Sequence, residues 1–405
     1  MKCVILAIGE ELLEGSVVDT NSSFIAQALS EAGFEPDVIK ALPDEVERLV
    51  SEFRHFMELY PLVITTGGLG PTFDDLTMEA VAKACDTTVE LNETALRHIE
   101  EQYQKLGLSL REEHRRQAFL PATALLLPND RGTALGTIVR YNSSMIISFP
   151  GVPHEMRPML LESVVPYVQE YFEVEAPLYR EDLHFANLPE SNIDSVICEA
   201  GIPKGLRCII NASVGETVVR VRGDAKVPAF TERLKNAYPE HYIYSGSESP
   251  ARYLVRLLQE RKLTVSAAES CTGGLLSGAI TAVSGSSEVF PGAVVSYANE
   301  VKEAVLGVPR AVLDTHGAVS EACALAMAAG VKKLMKTDAA ISITGIAGPG
   351  GGTDEKPVGT VYISCIFGEE RLCRLFRFSG ERDIVRERSV KIAIFMLIKM
   401  LNSAQ

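Results

Sequence analysis

Leu263-Thr264-Val265-Ser266-Ala267-Ala268-Glu269-Ser270-Cys271-Thr272-Gly273-Gly274-Leu275-Leu276-Ser277-Gly278-Ala279-Ile280 joins two apolar runs through a polar turn that ends in paired glycines. The pattern is that of a buried strand running into a helix. Such a turn gathers unpaired backbone N–H donors, glycines that admit close approach and, in this chain, a carboxylate, a hydroxyl and a thiol. Taken alone, Ser270 or Thr272 in that position is a helix cap. The rest of the chain supplies the other reading.

The same strand, turn and helix texture recurs on both sides, which sets the fold class as α/β: two three-layer α/β domains with largely parallel sheets joined by a small α+β domain. At 405 residues the chain exceeds one ordinary core. The expected divisions are 1–172, 173–247 and 248–405, the last opening after the turn-rich run Ser245-Gly246-Ser247-Glu248-Ser249-Pro250. A formal net charge of −14 argues against broad, sequence-independent binding of nucleic acid. Met1-Lys2-Cys3-Val4-Ile5-Leu6-Ala7-Ile8 meets Gly9-Glu10-Glu11 too soon for a signal peptide, and no apolar run reaches membrane-span length, so a cytoplasmic protein without membrane contact is expected. The eight cysteines are scattered without a CxxC pair and read as reduced, buried thiols.

In the first third, strands are expected at 2–8, 35–41, 61–66 and 144–149, with helices over 22–32, 45–59, 76–84, 92–105 and 111–118. Ligands of such a parallel sheet bind beyond the carboxyl ends of its strands. Thr65-Thr66-Gly67-Gly68-Leu69-Gly70-Pro71-Thr72-Phe73-Asp74-Asp75 lies at such an end. Its glycines expose N–H groups to a phosphate, and Asp74 and Asp75 are placed to hold a magnesium ion bridging to it. The competing reading is a tight loop with a capping Asp pair. Glu11, Asn21 and Glu79 are weaker candidates, and Pro150-Gly151-Val152-Pro153-His154-Glu155-Met156 is either a pocket wall or a plain rigid turn.

These motifs, with Asp19-Thr20-Asn21 and the glycines Gly67, Gly68 and Gly70 followed by Thr72, resemble the molybdopterin-binding-type domain of the competence/damage-inducible CinA family. The resemblance covers roughly the first 170 residues. It implies that the glycine loop and its aspartate serve phosphate and magnesium, and that this half has a pyrophosphatase activity towards ADP-ribose. The middle segment carries a positive stripe of Arg207, Arg220, Arg222 and Lys226, read as a solvated sheet face in so acidic a chain. No GxxG loop accompanies it, so nucleic acid is not an expected partner.

Three loops of the last third fall at strand ends: residues 269–274, 297–302 and 344–352. Ser270 needs a base, and neither a Gly-x-Ser-x-Gly elbow nor a histidine triad surrounds it; His316 is expected at a helix start as a cap or surface group. A desolvated lysine serves as base, which makes Ser270 with Lys302 a dyad and Tyr297 its proton relay. The alternative places Lys302 on the surface of a charged helix turn. N–H groups of Cys271, Thr272, Gly273 and Gly274 are the expected oxyanion donors, and the run containing Thr344, Gly345, Gly348 and Gly350 suits a phosphate. Cys271 is the rival nucleophile if its surroundings are electropositive.

The ordered set Glu269-Ser270-Cys271-Thr272-Gly273-Gly274, Tyr297 with Lys302, Gly317-Ala318-Val319-Ser320-Glu321 and Thr344-Gly345-Ile346-Ala347-Gly348-Pro349 resembles the C-terminal domain of the same family. That resemblance implies a nicotinamide-nucleotide amidase, which converts nicotinamide mononucleotide and water to nicotinic acid mononucleotide and ammonia, with Ser270 as nucleophile and no metal. A homodimer is the expected assembly. The rival classes are a molybdopterin-binding protein and a non-catalytic scaffold in DNA uptake or damage response.

Overall fold

The computed structural model describes residues 1–403 and divides the chain into two compact units, Met1–Pro177 and Leu178–Gln405. In the first, a six-stranded sheet runs in the order Glu35–Leu42, Lys2–Ile8, Leu62–Thr66, Ser144–Phe149, Gly136–Tyr141, Leu125–Leu127. The first four strands are parallel and the last two antiparallel. Successive side chains of a strand face opposite sides of a sheet. Accordingly Cys3, Ile5, Leu62 and Ile64 enter one hydrophobic cluster and Val4, Leu6, Ile8 and Val63 the other, so both faces are covered and three layers result.

The second unit holds two sheets. The antiparallel one runs Arg207–Ser213, Glu216–Gly223, Tyr179–Ala186, Tyr242–Ser245, and the other Gly292–Val295, Val265–Glu269, Ala339–Gly345, Thr360–Phe367, Glu370–Arg377. In the latter the first three strands are parallel and the last two antiparallel. Val265, Ala267, Ile341 and Ile343 pack on one side with the helices Pro250–Arg261 and Arg382–Ser403; Ala268 and Ala340 pack on the other against Glu321–Met335. Ile243 and Tyr244 of the antiparallel sheet join the first of these clusters.

Several expectations change. Residues Glu112–Ala118 form a 3₁₀ rather than an α-helix. The strands Gly136–Tyr141 and Tyr242–Ser245 and the ladder of Val89–Leu91 with Phe119–Pro121 were not anticipated, because three to six residues carry too little periodicity to separate them from loops. His316 ends the helix Arg310–His316 instead of starting one, since Gly317 follows at φ +77°, a backbone region suited to glycine after a helix. The arginine stripe is partly neutralised within its own sheet: Arg220 pairs with Asp182 at 3.4 Å, and Lys226 with Asp224 at 2.9 Å. No described helix is long and apolar enough to cross a membrane.

Candidate active sites

In the second unit, Ser270 directly follows the strand Val265–Glu269, and its N–H donates to Ile343 O at 2.9 Å, so the sheet fixes where Ser270 stands. The buried Glu269 carboxylate accepts from the N–H groups of Gly274 at 3.0 Å, Leu276 at 3.1 Å and Ser277 at 2.9 Å. Glu269 is thus the cap of the helix Leu275–Thr281, meeting the orphan donors and positive end of that helix. Ser270 is released from capping.

That arrangement also narrows the oxyanion donors. Gly274 N–H is taken by Glu269 and Gly273 N–H donates to Ser270 O at 3.1 Å, so neither expected donor is free. The N–H groups of Cys271 and Thr272 donate to no backbone carbonyl in the turns and loops of the described residues. Cys271 lines the cavity beside Ser270, whereas Thr272 is fully buried and does not.

Lys302, in the short helix Asn299–Ala304, is 1% exposed. Its Nζ lies 3.1 Å from Ser270 Oγ, 2.6 Å from Ser296 O and 3.3 Å from Tyr297 O. Burial holds its ammonium below the usual lysine range. A neutral amine has two hydrogens and one lone pair. With the hydrogens on the two carbonyls, the lone pair is left for the Ser270 hydroxyl.

The Tyr297 hydroxyl is not placed at Lys302 as a relay would need: the residue is 62% exposed and its hydroxyl accepts from Arg382 Nη2 at 3.1 Å, while its carbonyl meets Lys302. Cys271 is buried and its thiol is pushed up to about 11 by burial, which makes thiolate scarce. A cavity of about 280 Å³ opens onto Ser270, Lys302, Thr344, Gly345, Gly348 and Gly350, among others. Thr344 itself turns its hydroxyl to Ala318 O at 2.8 Å, and so ties two walls together. Arg382, missed in the sequence, lines this cavity and donates to Gly348 O at 2.6 Å. Its only signal was an arginine opening the last helix, which looks like any surface residue.

In the first unit, Gly67 follows the strand Leu62–Thr66 at φ +106°, and a Cβ there would lie 2.1 Å from Ile8 O. Only glycine fits, and the loop folds over a cavity of about 520 Å³ lined by Gly68, Gly70, Thr72, Asp74, Asp75 and Asn21 among others. Thr72 Oγ1 lies between the carboxylates of Asp74 and Asp75, and Thr72 N–H donates to Asp75 Oδ2 at 2.8 Å. The Thr72 hydroxyl bond holds the Asp74 carboxyl below its usual range. Asn21 Nδ2 donates to Thr66 Oγ1 at 3.0 Å and Gly151 O at 2.7 Å, which leaves its buried Oδ1 without a partner among the described residues.

Glu11 and Glu155 also line this cavity, whereas Glu79 pairs with Lys83 at 3.0 Å. Asp44 was missed, although it follows the carboxyl end of the strand Glu35–Leu42. Burial, and after it the charges of Glu11, Asp74 and Asp75, push its carboxyl up to about 6. Among the described residues no three His, Cys, Asp or Glu converge to hold a metal ion. Two carboxylates completed by ligand phosphate oxygens are nonetheless a donor set suited to magnesium, and Glu11, Asp44 and Glu155 line the same cavity.

Residues 247–401 match the CinA C-terminal domain family and residues 4–170 the probable molybdopterin binding domain family. The chain is similar to a CinA-like protein of Citrifermentans bemidjiense, at 41% identity over 95% of this chain and 94% of that one. It is 35% identical to a CinA-like protein of Thermotoga maritima over 100% and 99% of the two chains, and 36% identical to a putative competence-damage inducible protein of Halothermothrix orenii over 98% of each. Among solved structures, the competence/damage inducible protein CihA from Agrobacterium tumefaciens matches at 40% identity, covering 39% of this chain and 99% of that one, with a TM-score of 0.36.

Proposed function

Because this chain belongs to the CinA family, we propose that its second unit is a nicotinamide mononucleotide deamidase that works through a serine–lysine dyad. The observation that carries the reading is the buried Lys302 amine, 3.1 Å from Ser270 Oγ, with its two other contacts on carbonyl oxygens. The Ser270 oxygen attacks the carboxamide carbon of the substrate while Lys302 takes the hydroxyl proton. The N–H group of Cys271, which lines the cavity beside Ser270, holds the oxyanion. The Lys302 ammonium then returns a proton to the leaving nitrogen, and ammonia departs. Water, activated by the same amine, cleaves the acyl-enzyme to give nicotinic acid mononucleotide and restore Ser270. The loop of Gly345, Gly348 and Gly350, with Arg382 at its side, is the seat for the 5′-phosphate.

Measuring ammonia release from nicotinamide mononucleotide by purified wild type, Ser270→Ala and Cys271→Ala chains tests this. Ser270→Ala is expected to lose activity, with Cys271→Ala retaining it. Full activity in Ser270→Ala sinks the serine mechanism.

For the first unit we propose a pyrophosphatase that takes ADP-ribose. The glycine loop N–H groups bind the diphosphate, and Asp74 and Asp75 are the residues that would hold magnesium. The ion supplies charge neutralisation on the phosphate oxygens. The acid-lined cavity beside a glycine loop supports this reading over a scaffold role. Phosphate products formed from ADP-ribose with magnesium, and lost in Asp75→Ala, are the expected result. Tight binding of a pterin with no hydrolysis of ADP-ribose favours the molybdopterin-binding alternative.

A further inference from the structure

Building on the nucleotide reading of the first unit, we propose that Gln117 and Phe119 form a subsite for an aromatic base bearing an exocyclic amine, in a cavity that adjoins the larger one along the glycine loop. A second cavity, of about 150 Å³, shares Gly68, Leu69, Gly70, Asp75 and Gln117 with the larger one, so a single ligand can reach both along the loop. The smaller cavity is otherwise walled by the apolar Leu76, Met78, Val89, Phe119, Leu120 and Leu135, with the charged Glu79 and Arg116 beside them. Phe119 is 46% exposed although its ring is large and apolar, and it sits at the start of the short strand Phe119–Pro121. A flat apolar group laid on it removes that face from water.

Gln117 provides the polar selection. It is 8% exposed, and its Nε2 donates to Leu69 O at 3.2 Å. That bond turns the amide nitrogen towards the glycine loop and fixes which end of the carboxamide is the acceptor. Gln117 Oε1 is then buried with no partner among the described residues. A buried amide oxygen without a donor is unfavourable, and a ligand amine relieves it. A carbonyl at the same place on the ring, as in hypoxanthine, sets acceptor against acceptor. The subsite therefore selects adenine over hypoxanthine when the diphosphate lies on the loop.

Titration calorimetry on the full chain with magnesium left out, so that no nucleotide is cleaved during the titration, tests the subsite, using ADP-ribose, its hypoxanthine analogue and base-free ribose 5-phosphate. Wild type is expected to bind ADP-ribose about tenfold more tightly than the hypoxanthine analogue. Gln117→Leu is expected to bring that ratio close to one. Phe119→Ala is expected to weaken both nucleotides about tenfold while keeping their ratio, and ribose 5-phosphate to be unaffected by either change. If Gln117→Leu does not fold, as its near-ultraviolet circular dichroism would reveal, the exposed Phe119 still carries the test.

An unchanged ratio in folded Gln117→Leu overturns the proposal, as does wild-type affinity in Phe119→Ala. A pterin monophosphate, which also carries an amine on a flat ring, forms a parallel arm. Gln117-dependent pterin binding without ADP-ribose binding supports the subsite and removes the ADP-ribose reading. Wild type that binds none of these ligands overturns both.

Discussion

Lys302 is among the largest fully buried side chains of the protein, and its burial sets a pH dependence. Its pKa lies below the ordinary lysine value, so the neutral amine needed as base is present at lower pH than in a free lysine. Ammonia release is therefore expected to rise with pH through an ionisation below the usual lysine range, read from the kcat–pH profile. Lys302→Arg, which cannot deprotonate, is expected to lose on the order of a thousandfold in kcat. Asp44 gives a second test, with the opposite sense. Its folded pKa of about 6 exceeds the ordinary carboxyl value of 3.8, so the folded chain holds the extra proton between them and stability falls as pH rises through that window. Asp44→Asn is expected to melt above wild type at pH 7, with the gain vanishing below pH 4. Ser270 and Lys302 were both legible in the sequence as a dyad, but Lys302 read more readily as a surface residue. Its burial depends on the carbonyls of Ser296 and Tyr297, whose direction no residue pattern records.

The strand-to-helix turn is the element from which the second site grows, and Glu269 is its keystone. Glu269→Gln keeps the size of the side chain but removes the charge that receives three backbone N–H groups, and Gln brings an N–H₂ that cannot accept them. About 2 kcal/mol of stability is expected to be lost, measured by denaturant unfolding, with ammonia release falling as the Ser270 turn loosens. The sequence revealed this turn because an apolar run, a polar break and paired glycines occur in order. It concealed Gly136–Tyr141, although that strand is largely buried and its sheet neighbours Ser144–Phe149 and Leu125–Leu127 lie close by in the chain, since six residues carry too little periodicity to separate a strand from a loop. It likewise assigned Gly273 and Gly274 to oxyanion binding, because spacing alone does not tell that a preceding carboxylate takes the donor of Gly274.

At the scale of the whole molecule, each compact unit carries a glycine loop at the carboxyl ends of parallel strands and closes hydrophobic clusters of its own. The two activities are expected to separate: Asp75→Ala removes phosphate products and spares ammonia release, and Ser270→Ala does the reverse. Equal loss of both in either variant argues against independent sites. In the second unit, the nucleophile follows one strand and the base follows its parallel neighbour, with Glu269 in register with Val295. Neighbouring strands stand about 4.8 Å apart and rise about 3.3 Å per residue. The gap between Ser270 and Lys302 is thus gauged by the sheet as by a vernier, and a slip of a single notch, caused by a change anywhere along either strand, would silence the chemistry while leaving every reacting residue in place.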